Sequence, residues 1–278
     1  MERKSLRRTA YAAVFWLMIL AVTLVTATYA WFTFSPFTNV TPIGSTVSEG
    51  ETILLIANQE NGDFARECTL LLDSTSEEMK PLSTADLDRF HISTAQNREG
   101  ISILFSDASN QVNSRALHGK VYLKCENKDC DVYLRGSGLS LGEDAQTLAA
   151  LRLGLRITTV KGTYTYIMKL DALGDTASAA AVRTIPTAGT VVSSVDSTGN
   201  AEYIADPAVD IRKYLAQEEG ADDKEPEAGD TALCTLQAGE IAQVEYWLYL
   251  EGCDDNCISE VQKKEIGFQL SFAGVTLE

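Results

Sequence analysis

The sequence predicts an all-β protein, a jelly-roll-like antiparallel β-sandwich with long loops, preceded by an apolar N-terminal signal helix. Short segments of alternating apolar and polar residues recur along the chain, turn-forming residues separate them, and helical periodicity is scarce. The clearest segment is Glu265–Phe272, in which large apolar side chains occupy every second position. The chain has 278 residues, 45% of them hydrophobic. It can therefore bury a sizeable core, and we expect one sandwich domain over residues 31–278.

Most of the chain between the two ends is assigned to strands and loops. Two segments favour short helical structure instead, Glu143–Ala150 and a single turn over Asp86–Arg89 that Leu82–Thr84 would cap. The predicted strands are Thr52–Ala57, Cys68–Leu72, Ile101–Phe105, Leu117–Cys125, Asp131–Leu134, Leu151–Val160, Thr163–Leu170, Ala181–Ile185, Val191–Val195, Ile241–Leu250 and Glu265–Phe272.

The first thirty residues resemble an export signal. A basic flank precedes an uncharged, largely apolar stretch over residues 9–30, and small residues at Thr28 and Ala30 mark a cleavage site between Ala30 and Trp31. The alternative is an uncleaved anchor that tethers the protein to the membrane through residues 10–30. Both readings place residues 31–278 outside the cytoplasm, since the basic flank stays inside.

The charge of the chain narrows the classes of partner. Its 23 basic and 39 acidic residues give a net charge of −16, which excludes nucleic acid as a partner, because phosphate binding needs a basic surface. Seven of the acidic residues lie in Glu218–Asp230, which we interpret as a solvated, mobile loop. The stretch Asp171–Asn200 is also expected to hold loose loops with short strands, and neither region has the ligand spacing of an EF-hand calcium site.

Cys125 and Cys130 predict a disulfide-closed hairpin. When these two cysteines are paired, Leu123 falls opposite Val132 on one face, and apolar pairs continue along that face. An exported protein meets oxidising conditions, in which such a pair forms a bridge.

The other four cysteines are assigned to further bridges. Cys253 and Cys257 would close a second tight loop, and Cys68 and Cys234 would tie an early strand to a late one. The alternative is a four-cysteine zinc site, which the oxidising compartment disfavours.

The sequence contains no recognisable catalytic motif. Its two histidines, His91 and His118, each lie alone in strand-like surroundings, and the helical zinc-protease, nucleophile-elbow, phosphate-loop and dinucleotide motifs are absent. A hydrolase whose residues meet only in the fold remains an alternative. We expect no enzyme activity, no cofactor and no metal.

Two stretches carry a resemblance to a known family. Residues Ala27–Thr33 (ATYAWFT) look like the cleavage region of substrates of the SipW-type signal peptidase, and Tyr246–Asp254 (YWLYLEGCD) is similar to the C-terminal part of clostridial proteins with that signal. These are exported Gram-positive proteins of the TasA/camelysin group. The resemblance implies a jelly-roll sandwich in the cell envelope or biofilm matrix and, for the TasA members, fibres built by strand exchange. Camelysin is described as a metalloprotease, but this chain has no metal motif to which that activity could be transferred.

The sequence and the resemblance together predict a secreted or cell-surface structural protein that associates with itself through β-strands. Cleavage after Ala30 would leave an aromatic terminus that docks into a neighbouring subunit or, alternatively, forms an edge strand of its own sandwich. A membrane-tethered surface module that binds a glycan or peptide is the alternative function. The self-assembly residues are Trp31, Phe32, Phe34 and Phe37.

Overall fold

The computed structural model describes residues 40–47, 54–70, 79–95, 103–135, 145–170, 189–216, 231–257 and 266–277, all of which belong to a unit spanning Phe37–Glu278. The signal segment, the cleavage site, the aromatic segment Trp31–Phe37, the acidic segment Glu218–Asp230 and the predicted strand Ala181–Ile185 lie outside the described residues.

The described part of the chain is all-β and forms two six-stranded sheets and two small ribbons. One short helix, α1 (Ala145–Ala150), confirms the helical prediction for Glu143–Ala150 over the residues that the structure describes. Two 3-10 helices span Ser109–Ser114 and Ile211–Lys213. The strands are β1 Val40–Val47, β2 Leu54–Ala57, β3 Glu67–Cys68, β4 His91–Ala95, β5 Ile103–Asp107, β6 Leu117–Cys125, β7 Cys130–Arg135, β8 Leu151–Thr159, β9 Gly162–Lys169, β10 Thr190–Val195, β11 Ala201–Ala205, β12 Val209–Asp210, β13 Leu215–Ala216, β14 Cys234–Leu236, β15 Ile241–Leu250 and β16 Ile266–Thr276.

The two large sheets pack face to face as a sandwich. Sheet I has the order β13-β7-β16-β1-β3, with β14 also paired to β7, and sheet II has the order β12-β9-β8-β15-β6-β2. The ring of Tyr246 in sheet II lies 5.7 Å from the ring of Phe268 in sheet I, and both side chains are fully buried. Most pairings are antiparallel, but the long pairing of β1 with β16 is parallel. The jelly-roll connectivity stays a prediction.

The Cys125–Cys130 disulfide is present, but the hairpin predicted around it is wrong. β6 pairs with β15 and β2 in sheet II, whereas β7 pairs with β14, β16 and β13 in sheet I. The bridge therefore links the two sheets at the end of β6 and the start of β7, with a Cα–Cα distance of 6.5 Å. The alternating apolar residues of both strands, such as Leu123 and Val132, contribute to the common core between the sheets.

A second apolar layer covers the outer face of sheet II. The rings of Trp247 and Tyr249 on β15 contact Phe90, at centroid distances of 6.4 and 6.0 Å. Leu87 packs directly above Gly154 of β8, where a Cβ would lie 2.7 Å from a methyl carbon of the leucine. This close approach holds the segment 79–95 against the sheet.

The single helical turn predicted over Asp86–Arg89 is wrong. Leu87 has a φ of 61°, which breaks any right-handed turn. The conformation is held by Thr84, whose Oγ1 accepts a 3.0 Å hydrogen bond from the Leu87 N–H, so the expected capping residue is present without the helix.

Candidate functional site

Two narrow ribbons enclose a cavity that is the candidate binding site. β4 pairs with β5, and β10 pairs with β11. The N–H of Phe105 in β5 donates a 2.8 Å hydrogen bond to the carbonyl of Gly199, in the turn of the second ribbon. The cavity between the ribbons has a volume of about 570 Å³, within the range of about 300–1,000 Å³ that is usual for small-molecule sites. Its lining includes Arg89, His91, Ser106, Asp107, Ser197 and Thr198.

His91 borders this cavity, but both nitrogens of its ring are buried away from it. The residue is only 4% exposed, and neither ring nitrogen has a hydrogen-bond partner in the structure. Its backbone exchanges two 2.9 Å hydrogen bonds with Ser83, and Asp107 lies opposite it on β5. Burial lowers the pKa of His91, while the charge of Asp107 opposes this effect. The imidazole is therefore neutral near pH 7 and offers one donor and one acceptor.

The turn that forms the opposite wall is held by its own hydrogen bonds. Asp196 Oδ1 accepts from the Thr198 N–H at 2.8 Å, the Thr198 hydroxyl at 2.7 Å and the Asn200 N–H at 3.0 Å. These side-chain and backbone hydrogen bonds lower the pKa of Asp196. Gly199 has a φ of 89°, which the sharp reversal between β10 and β11 requires. These contacts within the turn fix the shape of the wall.

A buried ionic cluster lies beside this region, at the ends of β8 and β15. Arg152 is 1% exposed and donates through Nη2 to Asp254 Oδ2 at 2.6 Å and Asp206 Oδ2 at 3.2 Å. Its Nη1 donates to the carbonyls of Ala149 and Leu151. Burial lowers the pKa of Arg152, but the two carboxylates outweigh this effect and raise it. The cluster fixes the loops that carry Asp206 and Asp254 to sheet II.

Glu251 extends this cluster and is held in its neutral form. Its Oε1 accepts a 3.0 Å hydrogen bond from the Cys253 N–H, whereas Oε2 has no hydrogen-bond partner. Burial raises the pKa of Glu251 to about 8, although a hydrogen bond to Ser83 and the charge of Arg152 lower it. The carboxyl group is consequently protonated near pH 7.

The structure does not form the two further disulfides that we predicted. Cys253 is a free thiol in an apolar cluster with Phe105 and Val192, whereas Cys257 belongs to the core between the sheets, so their side chains lie in different clusters.

Cys68 and Cys234 are also free thiols, because their strands lie at opposite sides of sheet I. β3 and β14 are four strand spacings apart, roughly 19 Å, whereas a disulfide needs Cα atoms within about 7 Å. Burial raises the pKa of Cys68 to about 11 and that of Cys234 to about 12, so neither thiol is an activated nucleophile.

His118 lies away from the cavity, on the outer face of sheet II. Its Nδ1 is 2.8 Å from Asn113 Oδ1, its Nε2 is 3.1 Å from Glu245 Oε1, and its ring stacks on Trp247 at 5.0 Å. The two histidines therefore have separate environments, one bonded and one without partners on the ring.

Strand β1 is paired unequally on its two sides within the described residues. Val40–Val47 pairs with β16 over its whole length, but within the described ranges its other side pairs only at Ser45 and Thr46, with β3. Among the described residues, the first half of β1, Val40–Gly44, therefore has β16 as its one strand partner.

Neither a metal centre nor a membrane span is found in the part of the chain that the structure describes. Those residues contain no group of three or more His, Cys, Asp or Glu side chains placed to hold a metal ion. No helix among them is long and apolar enough to cross a membrane. Comparison of the chain with protein-family models, curated proteins and solved structures finds no match.

Proposed function

We propose that the protein is an exported structural protein of the cell surface or extracellular matrix, a fibre-type subunit that associates with itself through β-strands. The observation that carries this proposal is the open side of β1, which has no strand partner from Val40 to Gly44 among the described residues. Unpaired backbone N–H and C=O groups along such an edge accept another extended chain.

The added strand is the aromatic segment Trp31–Phe37 of a second copy. This segment precedes β1 by only two residues, and its aromatic side chains need a buried surface. Donation to a neighbour links copies head to tail, and a head-to-tail contact that does not close produces a filament. The resemblance to the TasA group supports the neighbour over pairing within one chain.

Two further features support an exported structural role. The Cys125–Cys130 bridge covalently joins the two sheets, and such bridges persist in oxidising compartments. Residues 31–278 contain 19 basic and 38 acidic residues, and this net charge of −19 keeps the folded subunit soluble before assembly.

The experiment compares two forms of the exported protein, residues 31–278 and residues 38–278. We expect filaments by electron microscopy and polymers by analytical ultracentrifugation from the longer form, and monomers from the shorter form. A control form of residues 31–278 carries Ser in place of Trp31, Phe32, Phe34 and Phe37. It separates loss of the aromatic side chains from loss of chain length, and it should also stay monomeric. Filaments from the shorter form, or a longer form that stays monomeric at high concentration, would contradict the proposal.

A further inference from the structure

Strand β11 has an open edge. One side of the strand pairs with β10, and four of its five residues are exposed. The N–H of Asp206 and the carbonyl of Asn200 both bond to residues at the two ends of β10. Because backbone groups alternate along a strand, those of Ala201, Tyr203 and Ala205 point the other way. Within the described part of the chain, these three residues have no backbone hydrogen-bond partner on that side.

The open edge carries exposed apolar side chains and lacks the usual protection. Tyr203 is 40% exposed and Ile204 is 44% exposed, on opposite faces of the strand. Lysine, proline or a bulge protects many natural edge strands, but β11 contains neither lysine nor proline. The bulge of this ribbon lies in β10, between Val192 and Ser194. Such an edge accepts a further extended strand.

We propose that β11 pairs with the β11 of a second copy, in antiparallel orientation and centred on Tyr203. This register places Tyr203 opposite its own counterpart and Ala201 opposite Ala205 of the partner subunit. The three open residues of one copy therefore meet the three open residues of the other, and each opposed pair exchanges two backbone hydrogen bonds. The contact uses a different edge from the strand donation to β1 and does not depend on it.

The side chains of β11 complement themselves in this register. Glu202 lies opposite Ile204 of the partner subunit, so the two carboxylates are not opposed. The two Tyr203 rings lie side by side, and the small Ala201 and Ala205 on the same face leave room for them. Centring the pair on Glu202 would instead oppose two like charges and match only two of the open residues. A two-fold contact requires a self-complementary surface, which this register supplies.

The contact is small, so it links free subunits weakly. Five residues on each side bury well under the roughly 1,200 Å² of a stable interface. The strong negative charge of both copies also opposes association. We therefore expect subunits that cannot donate a strand to be monomeric at micromolar concentration and to dimerise in the millimolar range. In filaments, many such contacts would act together and join filaments side by side, a consequence that alone rests on the proposed function.

The first test changes the charge opposite Glu202 and measures dimerisation by sedimentation equilibrium up to millimolar concentration. It uses the control form of residues 31–278 with Ser at the four aromatic positions, the Ser form, which lacks the side chains needed for strand donation. Ile204→Lys should strengthen the dimer roughly three- to tenfold, and Ile204→Glu should weaken it by as much. The same two substitutions at Ile241, which is 38% exposed on β15, change the net charge equally and should alter dimerisation far less.

The second test checks the register with disulfides in the Ser form. Tyr203→Cys should give a covalent dimer with oxidised glutathione, because directly opposed Cα atoms are about 5.5 Å apart. Glu202→Cys should give far less, because the two counterparts are displaced along the strands and lie roughly 8 Å apart. The Ser form without either substitution measures the background from the free cysteines.

The outcomes separate this proposal from the strand donation. A Ser form that stays monomeric at millimolar concentration would overturn the pairing and leave the edge of β11 to a strand of another protein. Equal effects of the substitutions at Ile204 and Ile241, or equal crosslinking at Glu202 and Tyr203, would overturn it as well. Dimers of the Ser form that respond to charge at Ile204 support the pairing even if residues 31–278 form no filaments.

Discussion

Replacing Arg152 with Met tests whether the buried ionic cluster holds the loops around the cavity to the sandwich. The substitution keeps an extended apolar chain of similar length but removes the charge. Asp206 would retain its contact with Lys169 at 3.3 Å, whereas Asp254 Oδ2 would lose its 2.6 Å partner at a side chain only 5% exposed. Breaking a buried pair in this way costs about 3–5 kcal/mol, because an uncompensated charge remains. For a domain of this size the loss corresponds to a fall in Tm of about 10 °C.

The assay is thermal and urea unfolding of the variant beside a control on the same strand. Arg156 also lies on the outer face of β8, but its partner Asp88 is 69% exposed and its second carboxylate partner, Glu245, is 3.6 Å away. Its guanidinium also lies 5.2 Å from the Trp247 ring, so we expect Arg156→Met to lower the free energy of unfolding by about 1–2 kcal/mol, less than Arg152→Met. Adding Asp254→Asn to Arg152→Met removes the unpaired buried carboxylate. In a double-mutant cycle, this second substitution should restore at least about 1 kcal/mol of the free energy of unfolding. A loss below about 1 kcal/mol for Arg152→Met, or no recovery in the double variant, would refute the reasoning.

Three other positions give shorter tests. Burial raises the pKa of Glu251 to about 8 from its usual 4.5, so the folded protein holds a proton that the unfolded chain releases. Stability is therefore full below about pH 4.5 and falls, by at most about 1.4 kcal/mol per pH unit, as the pH rises to 8. Glu251→Gln should flatten this slope in urea titrations, and an unchanged slope would show that another group causes it. Reducing the Cys125–Cys130 bridge should lower the free energy of unfolding by about 2 kcal/mol, the value for a short loop, and so lower the urea midpoint. An unchanged midpoint would count against the bridge. Gly154→Ala would place a Cβ 2.7 Å from a methyl carbon of Leu87, so we expect the free energy of unfolding to fall by about 1–3 kcal/mol. A Tm equal to that of the parent would mean that the segment around Leu87 can shift.

Strands with a strong periodic pattern could be predicted from the sequence. The bounds of β6 and β15 match the predicted Leu117–Cys125 and Ile241–Leu250. β6 and the first half of β15 bury every second residue and so alternate, whereas Tyr246–Leu250 is buried on both faces and forms a continuous apolar run. The strands that the prediction missed lack this signal. β1 contains Pro42 and Gly44, and β14 has only three residues, so neither shows alternation long enough to detect.

The candidate site could not be predicted from strand periodicity. The sequence isolates His91 as one of two histidines, but the cavity forms only where β4 and β5 meet the turn around Gly199, almost a hundred residues later. No local pattern records that meeting, and no local pattern shows that a side chain lacks a hydrogen-bond partner.

The strands that flank Cys125 and Cys130 show which features of the fold the sequence determines and which depend on the tertiary structure. The sequence by itself determined that Cys125 and Cys130 are close, since four residues separate them, and that the alternating apolar residues of their strands share one core. A hairpin within one sheet and a crossing between two sheets bring the same alternating residues together, so periodicity cannot distinguish them. Only the tertiary structure decided between them, because the backbone hydrogen bonds of β6 and β7 go to strands distant in sequence, β15 and β16, and that choice depends on how the whole chain fills the core.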